Sequence, residues 1–166
     1  MTAENTPAPA GKEGYNVVVG VDYSEQSEQA LYAGLDTLVR RPEAKLHVIA
    51  IAEGDGPRLP DELTADAKQR FLDEAARTLE SYLGQRLNGM ARAGAPIDRD
   101  RVFDSVDFGK PAERILSLVR EVHADLVIVG THGLSGVEHL VLGSVAETVL
   151  RNAHCPVLVM RTKQHQ

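Results

Sequence analysis

The run LVIVGTHGLSGVEHLVLGSV, residues 126–145, decides how this chain folds. Leu126 to Gly130 carry no polar side chain, as a parallel strand covered on both faces requires. The apolar periodicity then predicts a helix from about Gly143 to Asn152 and a last strand from Val157 to Arg161. In open α/β sheets, ligands sit in the crevice outside the carboxyl ends of the strands, where this loop lies. Gly130 and Gly133 allow a sharp turn and a close approach by a ligand. Gly143 and Ser144 stand where a helix offers unpaired N–H groups and the positive end of its dipole. A phosphate chain suits such a place. The spacing also fits a turn that binds nothing, with Ser144 as a simple N-cap. Neither a Gly-Lys-Ser/Thr phosphate loop nor a G-x-G-x-x-G fingerprint is present.

Outward from this run, strands and helices alternate. YNVVVGV, residues 15–21, predicts a strand that stops at Asp22. From Ser24 to about Arg40, Ala30, Leu31, Leu35, Leu38 and Val39 recur at helical spacing. Ser24 suits the N-cap, and Glu25 and Glu28 suit the positive end of the dipole. A second strand is expected at 45–52 (KLHVIAIA), followed by a loop at Gly54, Gly56, Pro57 and Pro60. Leu63, Phe71, Leu72, Ala75, Leu79, Tyr82, Leu83 and Leu87 predict a long amphipathic helix within 61–93, starting near Asp61 or Thr64. A weaker strand is expected at 100–106. A helix opened by Pro111 then runs to about His123, with Ile115, Leu116 and Val119 inward. This alternation predicts right-handed βαβ units and a parallel sheet with helices on both faces.

Composition narrows the function. The 166 residues fit one domain, expected at 15–162 behind a flexible tail at 1–14. A net charge of −6, no Trp, three Phe and four Tyr disfavour nucleic acid as a partner. No apolar run is long enough to span a membrane, and the first residues lack the features of a signal peptide. The single cysteine, Cys155, cannot form an internal disulfide. A soluble, cytoplasmic protein is expected. A receiver domain fits poorly, because Asp22 is followed by Tyr23 and Ser24 where an acidic pair would be needed.

Gly130, two residues, Gly133, nine residues, then Gly143-Ser144 resembles the G-x2-G-x9-G-S/T motif of ATP-binding universal stress proteins. The resemblance runs from about Tyr15 to Arg161 and includes VVVGVDYSEQS, LHVIAIAE and GSVAETVLRNAHCPVLVMR. It implies a Rossmann-like, open five-stranded parallel sheet in the order 3-2-1-4-5, with a nucleotide across the ends of strands 1 and 4. Carried over by position, Asp22 would accept bonds from ribose hydroxyls or adenine, and Gly20 would pass close to the base. The main chain of Val48 would meet the adenine edge. Val129 and Gly130 would lead into the phosphate loop, and Gly133, Gly143, Ser144 and Val145 would hold the phosphates. Read from the residues themselves, Asp22 is a helix cap or turn residue, Val48 a core residue and His47 a satisfied strand-edge histidine.

One departure concerns charge. The segment from Thr131 to Leu142 contains no Lys or Arg; Glu138, His132 and His139 are its titratable members. Backbone amides, histidine or a divalent cation (Mg²⁺ or Mn²⁺) would have to answer the phosphates. ATP is the expected ligand, with ADP or AMP as alternatives. The resemblance implies a stress-response sensor or regulator and a homodimer through PVLVMR, residues 156–161, paired antiparallel with its twin. A slow ATPase is an alternative, with His132 the one base on offer. So is a module that works through protein contacts without nucleotide.

Overall fold

Runs of Val and Ile become the inner strands of a single five-stranded sheet. The computed structural model describes residues 14–52, 65–131 and 142–162. Along the chain these form β1 (Tyr15–Val21), α1 (Glu25–Arg40), β2 (Ala44–Ala52), α2 (Ala65–Arg92), β3 (Val102–Phe108), α3 (Pro111–Glu121), β4 (Leu126–Gly130), α4 (Ser144–Asn152) and β5 (Val157–Met160). The strand order is β3-β2-β1-β4-β5, and each neighbouring pair is parallel. The sheet order and the helices on both faces match the sequence expectation.

Strand alternation sends successive residues of β1 to opposite faces. Val17, Val19 and Val21 join α1 and α2 in one core, where Leu31, Leu35, Leu38, Leu79 and Leu83 meet Leu46 and Ile128. Val18 faces the other core, with Ile115, Leu116 and Val119 of α3 and Ala146 and Val149 of α4. The fully enclosed centre is therefore β1 with its neighbours β2 and β4.

Several boundaries differ from the expectation. Arg99–Arg101 form a 3-10 turn, so the third strand occupies 102–108 and not 100–106. Arg101 holds that turn in place by donating to the carbonyls of Ala44, Leu38 and Arg41. Val39 is exposed, because α1 turns it away from the sheet, and Phe71 of α2 is exposed as well. Gly143, not Ser144, is the N-cap of α4. The loop expected at Gly54–Pro60, the proposed start of the long helix and most of the tail lie outside the described residues.

Candidate functional site

β1 and β4 are hydrogen-bonded neighbours, yet α1 leaves β1 towards one face while α4 leaves β4 towards the other. The chain thus opens a crevice between their carboxyl ends, the topological switch point at which such sheets bind ligands. Val19 pairs with Ile128, so Asp22 and Thr131 stand level across that crevice.

Asp22 closes the turn into α1. Its Oδ1 accepts from the Ser24 amide (3.0 Å) and the Ser24 hydroxyl (2.5 Å), and its own amide donates to Ser27 Oγ (3.3 Å). Ser24 in turn caps the helix, its Oγ accepting from the Ser27 amide at 3.2 Å. The turn and cap readings of Asp22 and Ser24 are therefore real structural roles, and they fix the Asp22 carboxyl at the turn after β1.

The opposite wall is built differently. The Thr131 amide donates to the Met160 carbonyl (2.8 Å), and the Thr131 carbonyl accepts from the Gly143 amide (2.7 Å), which ties the start of α4 to the end of β4. The first intrahelical bond runs from the Glu147 amide to the Gly143 carbonyl. The amides of Ser144, Val145 and Ala146 precede it and so have no acceptor in their own helix. Gly143 makes no side-chain cap bond, in contrast to Ser24. Ser144 is exposed and Val145 half-buried. Next to them, Thr131 is 7% exposed and its Oγ1 has no hydrogen-bond partner among the described residues. Sequence reasoning passed over Thr131, although it lies inside the loop motif; its signal was a polar residue directly after an apolar strand.

The side chains of Val48 and Val129, and the side-chain position of Gly20, face the packed interior. Val48 pairs with Val19 and is completely buried, short of the strand's end. Val21 pairs with Ala50, so Ile51, half-buried, is the β2 residue level with Asp22. The position of Gly20 that a side chain would fill faces Ile115 of α3, whose Cδ1 would lie 2.7 Å from a β-carbon. Val129 is buried in the second core. Gly130 is backed by the first turn of α1. Gly133, His132, Glu138 and His139 lie outside the described residues. Among the described residues, no group of three or more His, Cys, Asp or Glu could hold a metal ion. No helix of the described residues is long and apolar enough to cross a membrane.

This fold and switch-point crevice are those of a family of small α/β proteins. The chain belongs to the universal stress protein family, whose model matches residues 15–161. It is 29% identical over 150 residues to a universal stress protein of Staphylococcus aureus strain USA300, covering 90% of this chain and 85% of that one. Its fold is that of the universal stress protein UspA from Lactobacillus plantarum, with a TM-score of 0.69 at 21% identity, covering 91% of this chain and all of that one. A universal stress protein solved in complex with cAMP has a TM-score of 0.62 at 27% identity, covering 92% of this chain and 100% of its own.

Proposed function

We propose that this chain is a nucleotide-binding universal stress protein that takes ATP at the crevice between Asp22 and the start of α4 and acts as a sensor or regulator. The observation that carries the reading is the open amino end of α4. There the amides of Ser144, Val145 and Ala146 have no acceptor in their own helix, and the bond from the Gly143 amide to the Thr131 carbonyl ties that helix end to Thr131, whose buried hydroxyl has no partner among the described residues. Such a group of donors at a positive helix end suits phosphate oxygens. Asp22, on the other side, accepts hydrogen bonds and suits the ribose hydroxyls. The relative in complex with cAMP supports an adenine nucleotide as the ligand class.

The helix dipole supplies only about half an elementary charge, which cannot balance a triphosphate. A divalent cation fits the shortfall, because Mg²⁺ binds through substrate phosphates and water with few protein ligands. At this crevice the described residues offer one carboxylate, Asp22, and the hydroxyls of Thr131 and Ser144, a set too sparse to hold such an ion without the phosphates. Self-association through β5 belongs to the same reading.

Calorimetric titration with ATP, ADP and AMP, each in EDTA and in excess Mg²⁺, tests it. Mg²⁺ should tighten ATP severalfold and change AMP little. Ser144→Ala, which removes one donor to a charged group, should weaken ATP by roughly tenfold. Unchanged ATP affinity in both Ser144→Ala and a Gly143→Leu variant would overturn the assignment of the phosphates to α4. Failure of any nucleotide to bind would leave the protein as a contact module, and steady phosphate release would make it an ATPase.

A further inference from the structure

We propose that the cleft between the amino end of α1 and the middle of α2 is a binding site for a small aromatic monocarboxylate, separate from the nucleotide crevice. The cleft is shallow and open, with a volume of about 530 Å³. Tyr23 and Tyr82 form its aromatic wall. Their rings meet edge to face, with centroids 5.1 Å apart and planes at 86°. Tyr23 is 40% exposed, so much of its ring is open to a partner. It is held there by a φ of 65°, a left-handed conformation that a tyrosine rarely takes. Strain of this kind persists where the surroundings impose it, and it gathers at ligand clamps.

The charges of the cleft select the ligand. Arg86 is already committed. Its Nε and Nη2 donate to Glu28 Oε1 at 3.0 and 2.8 Å, and its guanidinium lies 3.7 Å above the Tyr82 ring. It is a rigid wall and not a free cation. Arg77 makes no ion pair or hydrogen bond among the described residues, which leaves one planar fork of donors facing the cleft. Glu74, one turn away on the same lip, would repel a second negative charge. A single carboxylate therefore fits, and a di- or triphosphate does not.

One more polar group suits the same ligand. Ser81 is exposed on the lining, where its hydroxyl can meet a ligand. Tyr23 offers a face for an aryl ring, and Arg77 a fork of donors for a carboxylate.

The test is titration of the full-length, isotope-labelled protein, without nucleotide, by two-dimensional NMR, with benzoate as the probe and neutral benzamide as the control. Benzoate should give saturable shifts at the amides of Tyr23, Ser81 and Tyr82, and benzamide should bind about tenfold more weakly. Arg77→Gln, at an exposed helix position, should cost benzoate about tenfold in affinity. Tyr23→Gly, which suits the local backbone, should also weaken it. Shifts confined to Asp22 and Ser144, non-saturable shifts, or benzoate binding unchanged in both variants would overturn the proposal.

Discussion

Gly130, the last residue of β4, lies directly against Gln26 in the first turn of α1. A β-carbon on Gly130 would stand 2.9 Å from Gln26 Cβ, 3.0 Å from the Gln26 carbonyl carbon and 3.1 Å from the Ser27 amide nitrogen. These are mostly backbone atoms in a capped helix turn, and they cannot step aside as a side-chain tip can. Gly130→Ala should therefore lower stability by about 1–3 kcal/mol, the usual cost of overpacking. Thermal denaturation measures it, and an unchanged Tm would show that the helix end shifts freely. Gly20→Ala is the comparison, since its obstacle is Ile115 Cδ1, the end of a side chain.

Tyr23 offers a second test of local strain. The left-handed conformation costs a non-glycine residue about 1–2 kcal/mol, while an aromatic pair contributes about 0.5–1.5 kcal/mol. In Tyr23→Gly the relief and the lost ring contact nearly offset, so urea denaturation should move by less than about 1 kcal/mol. Tyr23→Val loses the ring and puts a β-branched residue where it is least tolerated. It should cost about 2 kcal/mol or more. Equal stability of the two variants would mean that the backbone relaxes at Tyr23.

β5 is an edge strand whose residues face two ways. Val157 and Val159 pack on the second core, whereas Leu158 is 40% exposed. If β5 pairs with a twin, Leu158→Lys should break the dimer without touching the core, because a lysine on an exposed edge opposes pairing. Light scattering should then report a monomer with unchanged circular dichroism. A wild-type protein that is monomeric at high concentration would remove the premise.

His47 gives a pH dependence. Burial lowers its pKa, repulsion from Lys45 adds to this and Glu121 opposes it. Its Nε2 is buried without a hydrogen-bond partner among the described residues, and its ring stacks on Phe103 with centroids 5.0 Å apart. With the folded value below the unfolded one, the unfolded chain binds the proton more readily. The stabilisation is thus present above the unfolded value of about 6.5 and is lost as pH falls from there through the folded value. His47→Leu should flatten the stability slope between about pH 7 and 5 in urea titrations. An unchanged slope would assign the acid sensitivity to other groups.

The apolar run at 126–130, the β-branched run at 15–21 and the helical spacing of Ala30, Leu31, Leu35 and Leu38 were readable because each is a local pattern that reports its own burial. The sheet order followed from the family resemblance carried by the spacing of Gly130, Gly133, Gly143 and Ser144. The sequence by itself thus determined the class of fold. Register was not readable, since it depends on which residues of distant strands meet. It placed Val48 opposite Val19 inside the core and brought Ile51 level with Asp22. Packing between elements also decided that Gly20 makes room for Ile115 and Gly130 for Gln26, which no spacing of glycines records. Likewise Glu28 and Tyr82, far apart in the chain, meet at Arg86 on the wall of the cleft at Tyr23. Local periodicity states which side of an element is apolar; only tertiary contact states what lies against it.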